Sequence, residues 1–127
     1  MNQNQRTFTL EEANSLLPEL ESLLASLETK QEIVRQLHDE IFFEELLEND
    51  APPDTRLQEL EATLVRMEEE IQRIRTLGCR LRSPREGLID FLSQRDAEWV
   101  YYCWKRGEKE IRFYHTLRGG FLERKPI

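Results

Sequence analysis

Little in this chain resembles a ready-made catalytic apparatus. It has five glycines in 127 residues, and none lies in a Gly-rich phosphate loop or a Gly-x-Ser-x-Gly nucleophile elbow. Its two cysteines, Cys79 and Cys103, lack metal-type spacing, so reduced thiols in the cytoplasm are expected. No apolar run approaches the ~20 residues that span a bilayer, the longest being Trp99 to Trp104. The polar stretch Met1 to Arg6 reads as no targeting segment. A basic excess is missing too. The net charge of −7 and pI near 5.0 argue against nucleic acid, although Arg80, Arg82, Arg85 and Arg95 lie near Trp99. No membrane, nucleic-acid or cofactor partner is expected.

Charge and helical periodicity are what the chain has in plenty. Charged residues make up 34% against 39% hydrophobic, a balance suited to long exposed helices. Residues 1–78 hold 18 acidic and 7 basic residues (net −11), and residues 79–127 hold 7 acidic and 11 basic (net +4). An acidic arm with a mildly basic head could favour contacts between subunits, but a solvated charged surface is the plainer reading. The whole is expected to be a single domain, with residues 1–78 as a helical arm and 79–127 as a small sheet head.

Thr9 with Glu12 forms a capping-box signature, with Phe8 placed to pack on the first turn. This predicts a short helix from Leu10 to about Leu17 and a second with Pro18 near its first position. Leu20, Leu27, Val34 and Ile41 then repeat at seven, with Leu23, Leu24 and Leu37 beside them. The run Asn49 to Asp54, containing Pro52 and Pro53, is the clearest break. Beyond it Leu57, Leu64 and Ile71 alternate with Leu60, Met67 and Ile74, and Gly78 marks the stop. Two apolar seams joined by a short loop predict an antiparallel helical hairpin. Phe42, Phe43, Leu46 and Leu47 near its tip exceed what one partner helix covers. They are candidate interface residues, and a dimeric four-helix arrangement would bury them.

From Cys79 onward the period changes. Cys79–Arg82, Leu88–Leu92, Ala97–Lys105 and Glu110–Leu117 read as strands, with turns at Gly107-Glu108 and Gly119-Gly120. The expected class is therefore α+β, a coiled-coil-like hairpin carrying a small antiparallel meander. One face of the Trp99–Trp104 strand should cover the helices, and the other needs the C-terminal tail or another subunit.

The same landmarks carry a resemblance. Phe8-Thr9-Leu10-Glu11-Glu12-Ala13-Asn14 with Leu16-Leu17-Pro18, then Gly87-Leu88-Ile89-Asp90-Phe91, Cys103-Trp104-x-x-Gly107-Glu108, His115 and Gly120-Phe121-x-x-Arg124-x-Pro126 fall in order across nearly the whole chain. The string resembles the bacterial and archaeal domain of unknown function 2203, with departures at Pro84 and at Leu92, where a Pro is usual. The resemblance implies a fold and a set of interesting positions, and no activity.

Cys103 with His115 is a tempting zinc pair. A two-residue turn at Gly107-Glu108 sets Cys103 opposite Arg112 and His115 opposite Val100, on opposite faces. Val100, Tyr102, Trp104, Ile111, Phe113 and His115 then make one aromatic wall. A three-residue turn puts the pair on one face, four residues apart along the ladder, about 13 Å. On this reading no ion is shared, no metal is expected, and Cys103 is a small buried hydrophobe. His38-Asp39-Glu40 with Glu44-Glu45 hints at a metal-binding helix, but Arg35 stands where a di-iron pattern needs Glu. Asp90, set in an apolar run, needs a partner if buried, with Arg112, Arg118 or Arg124 as choices.

Two functions remain in view. The first is a non-enzymatic interaction or scaffold module, a homodimer assembled through its hairpin, with an unknown protein partner as a further possibility. The second is a small-ligand-binding protein or cryptic enzyme using an aromatic and histidine pocket. Its candidate ligand-binding residues are Asp90, Trp104, Glu108, His115 and Arg124. No catalytic residue is identified, and whether the chain is an enzyme stays open.

Overall fold

The structure, a computed structural model, describes residues 6–47 and 54–127. The Asn49–Pro53 part of the expected loop and the stretch before Arg6 lie outside these. The architecture is α+β: α1 (Leu10–Ser15), α2 (Leu17–Leu46), α3 (Asp54–Thr76), then a five-stranded sheet, with a 3-10 turn at Phe121–Glu123 before the last strand. The strands are β1 (Arg80–Ser83), β2 (Leu88–Arg95), β3 (Glu98–Lys105), β4 (Phe113–Thr116) and β5 (Lys125–Pro126). They pair antiparallel in sequence order, as a meander.

The helix boundaries follow local chemistry. The Thr9 backbone N–H donates to Glu12 Oε1 at 2.8 Å and the Glu12 N–H to Thr9 Oγ1 at 3.1 Å, satisfying two donors that α1 would otherwise leave bare. Pro18 sits in the first turn of α2, where a missing N–H does no harm. Gly78, with φ of +93°, takes the left-handed conformation that ends α3. α2 has 30 residues, about 45 Å at 1.5 Å per residue. It packs antiparallel on α3, with Glu19 pairing with Arg73 at 2.6 Å and Lys30 with Glu70 at 3.2 Å. Among the described residues, no helix is long and apolar enough to cross a membrane.

One core serves arm and head. Leu17, Leu20, Leu24, Leu27 and Ile74 from the helices join Ile89, Phe91 and Trp104 from the sheet and Ile111 from the loop after β3. Phe8 enters the same core, edge-on to Phe91 at 5.2 Å. Its N–H donates to the Leu92 carbonyl, and Ser93 Oγ donates to the Phe8 carbonyl at 2.6 Å. Thr7 forms a parallel bridge with Leu92, extending the sheet beyond the end of β1.

Two turns position the sheet. Asp96 and Ala97, with φ of 51° and 67°, make the two-residue connection of the β2–β3 hairpin. Gly87, φ +70°, lies against Arg106, and a Cβ there would stand 2.6 Å from Arg106 Cβ. Arg106 reaches Glu21 at 2.8 Å and also Glu28, tying the head to the arm. Opposite effects are therefore expected at the two turns in urea denaturation. Gly87→Ala loses about 1–3 kcal/mol through backbone strain and displacement of Arg106. Ala97→Gly gains up to about 1 kcal/mol by relieving a left-handed alanine.

Candidate functional site

The β2–β3 pairing sets Ile89 opposite Trp104, Asp90 opposite Cys103 and Leu92 opposite Tyr101. Because side chains alternate, Ile89, Phe91, Tyr102 and Trp104 face the helices, while Asp90, Leu92, Tyr101 and Cys103 face outward. The outward face is buried all the same. Asp90 is 1% exposed, Cys103 2% and His115 1%. The C-terminal segment covers part of it: Phe121 lies 5.2 Å from Lys105 Nζ and 4.1 Å from the Arg124 guanidinium, which also stacks on Phe113.

The β3–β4 register corrects the expected one. Cys103 pairs with Phe113 and Tyr101 with His115, not Cys103 with Arg112 or His115 with Val100. Gly107-Glu108 belongs to a longer loop, residues 106–112, held by two local hydrogen bonds and one to α1. Trp104 Nε1 donates to the Glu108 carbonyl at 2.8 Å, the Lys105 N–H to Glu108 Oε1 at 2.7 Å, and the Ile111 N–H to Asn14 Oδ1 at 2.8 Å. Burying Ile111 in the core removes it from the ladder. The one-residue slip turns His115 to the opposite face from the expected wall of Val100, Tyr102 and Trp104. His115 and Cys103 thus share a face and are two residues apart along the ladder, not four. The separation that ruled out a shared ion does not hold.

The five candidate ligand-binding residues fall into two groups. Trp104, Glu108 and Arg124 form one: Arg124 Nη1 contacts Glu108 Oε1 at 3.0 Å and Oε2 at 3.1 Å. Asp90 and His115 form the other, with Asp90 Oδ1 3.1 Å from His115 Nε2. The cation over Asp90 is Arg82, 3.6 Å from Oδ2. Arg112 pairs with Glu110 instead, and Arg124 with Glu108. Arg82 falls in the irregular step of the β1–β2 ladder between Leu81 and Ser83, so strand alternation alone could not assign its direction. The sequence weighs Cys103 only with His115, and leaves it as a buried hydrophobe without linking it to Asp90. Its place opposite Asp90 follows from the two-residue turn at Asp96-Ala97, a dipeptide that is no strong turn signal. On the arm, Asp39 pairs with Arg35 at 3.0 Å, and Glu40 and Glu44 pair with Arg56.

Protonation follows from geometry. His115 Nδ1 lies 2.7 Å from the Thr116 carbonyl, which can only accept, so Nδ1 carries a proton. Nε2 faces the Asp90 carboxylate and shares a second proton with it. Burial pushes the His115 pKa down, but hydrogen bonds to Asp90, to Cys103 and to the Thr116 carbonyl outweigh it and hold the value at about 10. Cys79, on the helix side, is held as the neutral thiol, its pKa pushed up to about 12 chiefly by burial. It is an inert core group.

A helical hairpin joined to a five-stranded meander, with a sealed Asp–Cys–His cluster on the outer sheet face, is the class of molecule these elements define. The chain matches the family described as Uncharacterized conserved protein (DUF2203) over residues 6–127, and it belongs to that family. Comparison with curated proteins and with solved structures returns no match.

The raised His115 pKa fixes a pH dependence. Folded protein retains a proton on His115 up to about pH 10, whereas the unfolded chain releases it near ~6.5. The contribution is complete below pH ~6.5 and is lost as pH rises through 10. Stability from urea denaturation should fall across that window. His115→Gln should flatten the slope and cost about 3 kcal/mol at neutral pH by leaving Asp90 without its closest cation.

Proposed function

We propose that the protein is a non-enzymatic interaction module of the reducing cytosol that works as a homodimer assembled through its hairpin arm. The observation that carries this reading is the exposed apolar end of α2. Phe42, Phe43, Leu46 and Leu47 are 54%, 59%, 62% and 66% exposed, and the two Phe rings meet edge-on at 6.4 Å. On α3 the heptad positions Leu57 and Leu64 are also open, with Val65 beside Leu64. Thr63 and Ile74, by contrast, are buried. Each helix thus presents an apolar edge that the hairpin does not cover.

Magnitudes set the extent of the interface. The four side chains of each copy, eight in a dimer and each already partly covered, yield roughly 7–14 kcal/mol, and association costs about 4–15 kcal/mol. The tip alone is marginal, so the contact includes Leu57 and Leu64, which gives a four-helix arrangement. The acidic arm, net −11 over residues 1–78, suits a partner placed antiparallel, with the other copy's basic head, net +4 over residues 79–127, near the tip. Trp99, Leu117 and Leu122 on the head are exposed as well. A pocket for an organic ligand at Asp90 and His115 has less support, because both side chains are sealed.

Sedimentation equilibrium tests this. Wild type should have the mass of a dimer, and Phe43→Glu should be monomeric with unchanged circular dichroism. A monomeric wild type, or a variant that remains dimeric, would refute the proposed interface.

A further inference from the structure

Three strands converge on one buried point. Asp90 from β2, Cys103 from β3 and His115 from β4 bring a carboxylate oxygen, a thiol sulfur and an imidazole nitrogen within 4.8 Å of one another. An ion pair between Asp90 and His115 accounts for part of this arrangement. The Cys103 thiol hydrogen-bonds His115, but neither contact accounts for Asp90 Oδ2, which is buried without a hydrogen-bond partner. Arg82 stands 3.6 Å away from that oxygen, beyond normal hydrogen-bond length. Such an atom costs free energy unless something occupies its lone pairs.

The histidine is oriented as metal-binding histidines are. Its Nδ1–H donates to the Thr116 carbonyl, which fixes the ring and aims Nε2 at the other two donors. The same orientation argues against a nucleophilic cysteine. In a Cys–His–Asp triad the imidazole bridges thiol and carboxylate through its two nitrogens, whereas here the carboxylate faces Nε2 and the carbonyl occupies Nδ1.

We propose that Asp90, Cys103 and His115 form a mononuclear zinc-class metal site. The donor set of one sulfur, one nitrogen and one oxygen suits a borderline-soft divalent ion and does not suit magnesium or calcium, which take oxygen donors. Zinc bonds of about 2.0–2.3 Å set ligand atoms roughly 3.3–3.7 Å apart. The widest separations, up to 4.8 Å, therefore contract by about 1–1.5 Å on binding, while the 3.1 Å contact of Asp90 with His115 opens slightly. Charge balances: the proton shared by Asp90 and His115 Nε2 leaves with the thiol proton of Cys103 as one divalent cation enters. The site is neutral before and after, as its burial requires. Three protein ligands leave a fourth position.

The test is a cobalt(II) titration of full-length protein stripped of metal by chelation. One equivalent should bind per chain and produce a thiolate-to-cobalt charge-transfer band, which zinc then abolishes by displacement. Cys103→Ser should lose the band while keeping wild-type circular dichroism, and Cys79→Ser should keep it. Zinc should raise the melting temperature of wild type and not of Cys103→Ser. Absence of stoichiometric binding in wild type, or a band that survives in Cys103→Ser, overturns the proposal. Should Cys103→Ser not fold, the Cys79→Ser protein decides: one thiol remains, and a stoichiometric band supports the site while none refutes it.

Discussion

The β2–β3 pairing is the constraint on which the rest of the structure depends. Every side chain from Leu88 to Ser93 is buried, so this strand is covered on both faces although its sheet is antiparallel and small. Ile89 and Phe91 require the helices, which is why a sheet of five short strands can sit on one end of the hairpin. Asp90 and Leu92 require a second cover, which comes from Arg82, Arg80 over Tyr101 and the C-terminal segment around Phe121. A strand buried on both faces is normal in parallel sheets sandwiched between helices. Here the tail, rather than a second helical layer, closes the outer side.

The joint between head and arm rests on this apolar contact more than on charge. The pairs of Arg106 with Glu21 and Glu28 are partly or largely exposed, each worth about 0–1 kcal/mol. Trp104, Phe8, Phe91, Leu20 and Ile74 are fully buried in one cluster, and truncating any of them to alanine typically costs 2–5 kcal/mol. The Asn14 side chain accepting the Ile111 N–H adds register rather than bulk. It holds the 106–112 loop against α1, and that loop dictates which face of β4 looks outward.

Periodicity made the arm legible. Leucines at seven-residue spacing, the Thr9–Glu12 box, Pro18 in a first turn and Gly78 after a last one all act within a few residues, so local chemistry sufficed. β5 (Lys125–Pro126) reads as tail, whereas the order of the first four strands was legible for the same reason, each run being bounded by a turn. Register was not. Gly107-Glu108 has the composition of a tight hairpin turn, and what overrides it is Trp104 bonding to Glu108 and Ile111 entering a core built by residues almost a hundred positions earlier. The partnership of Asp90 with Arg82 and His115 inherits that dependence. Asp90 could be recognised as a buried charge from its apolar neighbours, but its partners come from an irregular ladder step in β1 and from β4. Likewise, the bridge of Thr7 to Leu92 joins the first described residues to the middle of the sheet, a pairing no local pattern announces.

Local rules agree with the global fold over most of this chain, which gives weight to the two places where they do not. At the hairpin tip, four large apolar side chains remain in water at a position where charged residues would fold as well. On the outer sheet face, three polar groups are sealed where a Leu–Val–Phe layer would pack without any desolvation cost. The two departures are physically independent. One concerns apolar area that the hairpin leaves uncovered, and the other concerns a buried carboxylate oxygen without a hydrogen-bond partner. The proposed assembly of the arm and the proposed ion in the head would each give a departure its reason, and because they lie at opposite ends of the hairpin, altering one should leave the other intact.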